Sequence, residues 1–263
     1  MATEKEITNI LKQQFNRIEK EAVHYHNNPY LLENIHQYRV HLRTLRSLLK
    51  FIKPLMDEDS YEELNELLKK QGQSLSSVRD LDVFIEKINQ TARIHSDLLD
   101  NYADVFQFLQ EERLRVIEMQ ASPEKLAVSR EMVAHVKERL DDLSLTLEET
   151  SSSDFIEKRL DKDQAKLKKE YDKTADSAYE QIHETRKLAK HVRYNADGYQ
   201  KLLPKKKAKK IKKWAKKIQE ELGAVTDAHV HRELLKKYKD EVEDDTLQEA
   251  FRRLLTYSSN KNQ

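Results

Sequence analysis

Two rows of cationic side chains, each headed by a histidine, carry the chemistry this sequence could perform. His36, Arg39, Arg43 and Arg46 recur as His183, Arg186, Lys190 and Arg193, every pair 147 residues apart. A guanidinium offers a rigid fork of donors to phosphate or carboxylate oxygens, a lysine ammonium is a mobile point charge, and a histidine gains a proton near neutral pH. This is an inventory for gripping an anion. The same offset joins Leu75, Val78, Asp80 and Val83 to Leu222, Val225, Asp227 and Val230. Two separate motifs sharing one offset mark a duplicated unit, with halves expected at 1–146 and 147–263 that pack together as one body.

Other chemistries lack their residues. Cys 0 removes disulfides, thiolate catalysis and cysteine-bound metals, and fits a reducing compartment such as the cytoplasm. No Gly-rich phosphate loop, nucleophile elbow or HExxH is present. Asp80 and Asp227 read as helix caps or as partners that orient an arginine, and nothing beside them resembles paired carboxylates for acid–base work. His24 with His26, and His229 with His231, project from different faces of a helix, so no metal site and no cofactor is expected.

The elements that must position the rows are helices. Gly 3 and Pro 4 in 263 residues, with 36% charged residues, favour long amphipathic helices over strands and tight turns. Hydrophobic spacing predicts helices near 4–26, 30–53, 59–72, 76–92, 95–119, 123–146, 153–171, 174–200, 205–221, 224–239 and 244–257. Ser122-Pro123 and Ser153-Asp154 have the composition of helix starts. No window approaches a membrane span and the opening residues lack a signal-peptide core, so a soluble cytoplasmic protein is expected.

The helical turn of 100° per residue locates the rows without coordinates. Tyr38, Leu42, Leu45, Leu49 and Ile52 fall within about 80° of one another and form the buried stripe. The row from His36 through Arg46 to Lys50 centres about 110° away, beside the core rather than opposite it, where a groove between packed helices would lie. Ile182, Ala189, Val192, Ala196 and Tyr199 make the matching stripe of the second copy. Segment 205–221 repeats the arrangement: Ile211, Trp214, Ala215, Ile218 and Leu222 face the core, and Lys205, Lys209, Lys212 and Lys216 lie on the flank. Lys206, Lys210, Lys213 and Lys217 fall on the solvated far side, and Lys69 matches Lys216 in the first half. From His183 to Lys217 there are 14 Lys or Arg against two acids, although the whole chain carries only +1. Like charges at helical spacing repel by a few tenths of a kcal/mol per pair, a cost that a bound polyanion offsets.

Four motifs resemble the conserved-histidine α-helical domain, or CHAD, family. His36-Gln-Tyr-Arg39-Val40-His-Leu-Arg43-Thr44-Leu45-Arg46 is similar to its H-x-x-R-V-x-x-R-R-L-R. Ser77-Val78-Arg79-Asp80-Leu81-Asp82-Val83 resembles v-R-D-l-D-v. Ile182-His183-x-x-Arg186 through Lys190, Arg193 and Tyr194 resembles its second histidine run. Ile218-Gln219-Glu220-Glu221-Leu222-Gly223 with Asp227 resembles L-Q-x-x-L-G-x-x-x-D. Thr44 stands where the family has a second arginine, and Ser76 where it has a glycine. The resemblance implies an all-α fold of two pseudo-symmetric helical bundles around a basic groove, and a ligand, inorganic polyphosphate. Members of that family are often attached to a triphosphate-tunnel β-barrel; this sequence has no strand pattern for one, so a stand-alone form is expected.

The expectation is therefore a non-enzymatic polyphosphate binder, with association with polyphosphate granules left open. Its site would comprise His36, Arg39, Arg43, Arg46, Lys50, Lys69, Arg79, His183, Arg186, Lys190, Arg193, Tyr194, Lys205, Lys209, Lys212 and Lys216. Binding should tighten as pH falls from about 8 to 6, because arginines disfavour protonation of His36 and His183 until a phosphate arrives. One rival is a polyphosphate-processing enzyme using either histidine, against which the sequence offers no metal-holding carboxylate cluster. The other is a nucleic-acid binder, which the basic rows would serve electrostatically but for which no stacking platform stands out.

Overall fold

The computed structural model describes residues 4–95, 98, 100–147, 151–174 and 177–260. Among them lie ten α-helices and no strand: α1 Glu4–Asn27, α2 Leu32–Ile52, α3 Glu58–Ser74, α4 Ser76–Ile94, α5 Tyr102–Gln120, α6 Pro123–Asp141, α7 Ser152–Tyr171, α8 Tyr179–Gly198, α9 Lys205–Glu241 and α10 Asp245–Asn260. None of these helices is long and apolar enough to cross a membrane.

The offset governs helix boundaries as well as motifs. Leu32 and Tyr179 open α2 and α8, and Glu58 and Lys205 open α3 and α9, each pair 147 apart. Ile94 and Glu241 close α4 and α9 at the same spacing, and short 3-10 turns begin at Lys53 and Gln200. One difference stands out. The first half breaks between α3 and α4 at Leu75 (φ −91°, ψ 1°), whereas α9 runs unbroken for 37 residues. The expected pair of helices at 205–221 and 224–239 is thus a single helix, and Gly223 lies inside it, buried, without ending it. The other departures are at ends: α6 stops at Asp141, α8 starts at Tyr179, and α7 is capped by Ser151, whose Oγ accepts from the Asp154 amide. The first residues of the predicted helices at 95–119 and 174–200 lie partly outside the described residues.

The predicted stripe of α2 is the core: Tyr38, Leu42, Leu45, Leu49 and Ile52 have no exposed surface. Each buried aliphatic side chain of this kind stabilises by roughly 1.5–3 kcal/mol. On α8, Ala189, Val192, Ala196 and Tyr199 are buried and Ile182 partly so. One apolar cluster runs through both halves. At one end the halves meet where α2 crosses α8. Tyr199 OH donates to Leu48 O (3.1 Å), Ser47 Oγ lies 2.9 Å from His191 Nδ1, and Phe51 stacks on Tyr199. At the other end Phe84 of α4 meets His231 and Tyr238 of α9, and Phe108 of α5 meets Phe251 of α10. Helix α6 stands outside the repeat and packs on α1 and α3. Its Ser129 reaches His26 Nε2 (2.9 Å) and Tyr38 OH (3.4 Å).

Candidate anion-binding cleft

Between the two crossing points lies a cleft of about 1000 Å3, walled by α2 and α4 from the first half and by α8 and α9 from the second. His36, Arg39 and Arg43 enter it from α2, and His183, Arg186 and Lys190 from α8. Asp80 and Val83 of α4 face it, as do their counterparts Asp227 and Val230 of α9. Five offset-related pairs of like residues therefore line one space. The rows enter it because each borders the stripe that is buried, so packing α2 against α8 turns both flanks inward.

The leading arginine of each row is fixed by its own half. Arg39 donates through Nη2 to Ser76 Oγ (2.8 Å) and through Nε to Gly72 O (3.4 Å), and its Nη1 lies 3.9 Å from Asp80 Oδ1. Arg186 donates to Thr226 Oγ1 and, through Nη1 and Nη2, to Asp227 Oδ1 (3.0 Å) and Oδ2 (3.4 Å). The aspartates thus orient arginines and cap no helix. A Cβ on Gly223 would sit 3.4 Å from Arg186 Nη2, so the glycine leaves room for the guanidinium to lie on α9. In the first half Ser76 occupies that position and uses its hydroxyl to hold Arg39 instead.

Charge dominates the interior. Arg39, Arg43, Arg79, Lys87, Arg186, Lys190 and Arg193 line the cleft with three histidines, against Asp80, Glu86 and Asp227. Two of those three acids are tied to arginines. Arg43 and Arg79 have no carboxylate within 4 Å among the described residues. Burial, then the facing Arg43 and the neighbouring Arg186 and Arg193, push Lys190 down to about 7, with Asp227 opposing. Burial first and then Arg79 lower His36, and burial and then Lys187 lower His183. Buried nitrogens without a partner gather here too: the donors Arg186 Nε and Arg193 Nε, and the ring atoms His183 Nδ1 and His231 Nδ1. The arrangement is short of anionic acceptors.

Not every expected residue reaches the cleft. Tyr194 lines it, buried beneath the Arg193 guanidinium at 4.5 Å. Arg46 is one turn too far along α2 and donates to Asn65 Oδ1 of α3 (3.3 Å). Lys50 is exposed beyond the rim, and Lys69 pairs with Glu66 at 2.9 Å. Lys205, Lys209, Lys212 and Lys216 lie outside the lining; Lys212 pairs with Asp197 (2.5 Å) and Lys216 with Glu220 (3.4 Å). Conversely Lys87 and Gln90 line it without having stood out in the sequence, and so do Gln219, quoted only within a motif, and His231, weighed only as a metal ligand. His231, under Phe84, is lowered to about 4 by burial and Lys87. His229 stacks on Tyr179 at 3.7 Å, and His26 is tied to Ser129. Among the described residues no group of three or more histidines and carboxylates is placed to hold a metal ion.

The model of the CHAD domain matches residues 9–236. Among solved structures, a CHAD domain from the plant Ricinus communis superposes with a TM-score of 0.76 at 23% identity, over 99% of this chain and 86% of that one. PptA from Streptomyces chartreusis superposes with a TM-score of 0.74 at 13% identity, over 99% of this chain and 95% of that one. Identities this low speak for the shared fold alone. No curated protein matches the sequence. A family model covering most of the chain, over a helical frame with paired histidine rows, places this protein in the CHAD domain family.

Proposed function

We propose that this protein binds inorganic polyphosphate, without catalysing a reaction on it, in the cleft between its halves. The observation that carries the reading is the charge balance there: seven arginines and lysines against three acids, with the pKa of Lys190 pushed down to about 7 by burial and then by its cationic neighbours. A chain of phosphoryl groups supplies oxygens at close, regular intervals, which suits forks arriving from both walls. Arg39 and Arg186, already oriented by Asp80 and Asp227, offer their remaining donors without losing further side-chain entropy. Arg43, Arg79 and Lys190 supply charge that the protein itself leaves unneutralised. A cytoplasmic location fits a chain with no cysteine.

The test is titration with long-chain polyphosphate over a series of salt concentrations, in competition with RNA at matched charge. A steep loss of affinity with salt, and preference for polyphosphate, supports the reading. Preference for RNA overturns it. Steady phosphate release that disappears in both His36→Ala and His183→Ala overturns the non-catalytic part.

A further inference from the structure

We propose that the cleft continues outward along the amino-terminal half of α9 as a lysine ramp, and that the ramp makes binding depend on chain length. The inference rests on the polyphosphate reading and adds to it a division of labour. Short chains are gripped by the cleft alone, and longer ones are also held along the ramp.

The continuity of α9 makes the geometry readable. At 100° per residue, Lys205, Lys209, Lys212 and Lys216 point within about 40° of Leu234, a cleft-lining residue about three turns past the middle of the helix. They share the strip of α9 that faces the cleft and differ only in height along its axis. Lys216 precedes the cleft-lining Gln219 by one turn, about 4.5 Å, and Lys205 precedes it by about 21 Å. The first half cannot extend its wall this way, because its chain breaks at Leu75 between α3 and α4. Lys206, Lys210, Lys213 and Lys217 widen the strip by a further 60–120° or so, towards α7. Exposed side chains fill that sector.

The ramp is cationic at the expense of its own helix. Nine lysines and no acid occupy residues 205 to 217. Lys207 is neutralised by Glu157 and Asp161 of α7, and Lys212, Lys216 and Lys217 have one carboxylate each. Lys205, Lys206, Lys209, Lys210 and Lys213 have none within 4 Å among the described residues. The start of α9 inverts the usual order: three lysines fill its first turn, no acid is present, and Pro204 provides no side-chain cap. Cations at that end oppose the helix dipole. The equivalent start of α3 is conventional, with Asp57 accepting from the Ser60 amide and Glu58 and Asp59 following. Two copies of one unit thus differ where the ramp lies, and the second gives up helix stability for an unbroken positive surface. An extended anion leaving the cleft over Gln219 meets that surface next.

The experiment compares tripolyphosphate with long-chain polyphosphate on the wild type and on the combined variant Lys206→Gln, Lys209→Gln, Lys210→Gln, Lys213→Gln. Tripolyphosphate affinity is expected to stay within twofold. Long-chain affinity should fall tenfold or more, and the slope of log affinity against log salt should shrink by about 3. Trp214, the sole tryptophan, lies beside Lys210 and Lys168 in a groove between α7 and α9, so its fluorescence should respond to long chains and not to tripolyphosphate. Unchanged long-chain binding by the variant overturns the ramp and leaves the cleft standing. Equal losses for both lengths also overturn it, because they would mean that the lysines act on the cleft itself. A wild type that binds neither ligand brings down the underlying polyphosphate reading instead.

Discussion

Lys190 turns the crowding of the cleft into a measurable proton count. In the empty protein its pKa is pushed down to about 7 by burial and by Arg43, Arg186 and Arg193, with Asp227 too weak to restore it. The negative charge of a polyphosphate seated against it opposes both the burial and the cations, and the pKa rises towards its ordinary value near 10.5. Binding therefore takes up a proton, and affinity must fall as pH rises. At pH 6 about ten in eleven empty clefts already carry the charge; at pH 8 only about one in eleven do. The contribution of this residue alone weakens affinity about tenfold between those values, or about 1.4 kcal/mol. At pH 8 the uptake approaches one proton per site. His36 and His183, lowered in the same sense, add their uptake on the acid side of this window.

Isothermal titration in two buffers of different ionisation enthalpy, at constant ionic strength, reads that proton directly. Lys190→Arg keeps the charge and removes the titration, so its uptake at pH 8 should vanish and its affinity should be nearly flat from pH 7.5 to 9. If the wild type takes up less than about 0.2 proton at pH 8, or if Lys190→Arg takes up as much as the wild type, the reasoning is refuted. The same linkage fixes the empty protein's stability. Unfolded chains keep this proton up to about pH 10, so between about 7 and 10 the unfolded state binds more protons and stability from this group rises with pH.

Further outcomes follow from named contacts. Reversing Arg43 to Glu together with Arg186→Gln should abolish polyphosphate binding while leaving the helical circular dichroism signal intact, because neither side chain belongs to the core. Gly198→Ala places a Cβ 2.5 Å from Leu48 Cδ2 where α8 crosses α2, and should cost about 1–3 kcal/mol in urea unfolding. Adding Leu48→Ala should recover part of that loss relative to the sum of the single changes. Arg113→Met strands the Asp82 carboxylate, whose side chain is wholly buried and which holds Arg113 Nε at 2.6 Å, and should lower stability by about 3–5 kcal/mol.

What the sequence disclosed and what it withheld divide along a physical line. Periodicity reports azimuth around a helix, so the buried stripes of α2 and α8 and the rows beside them were legible. Periodicity is silent about height along the axis. That is why Arg46, Lys50 and the lysines of 205–216 share a face with cleft residues yet lie outside the lining. Gly223 misled for another reason. It reads as a helix breaker, but it is set by what packs on it, the Arg186 guanidinium, and a buried helix tolerates the entropic penalty when a bulky neighbour needs the space. The offset also blinds the reader to asymmetry: His231 corresponds to the buried Phe84, and Lys87 to Leu234, so neither announced itself as a repeated feature. Yet the asymmetric positions are where a duplicated protein stops being a symmetric one. A strict twofold cleft would present two equivalent exits to a linear polymer. Here one wall ends at the Leu75 break and the other runs on through Gln219 into nine lysines, so a linear polyanion held in the cleft would meet a preferred way out.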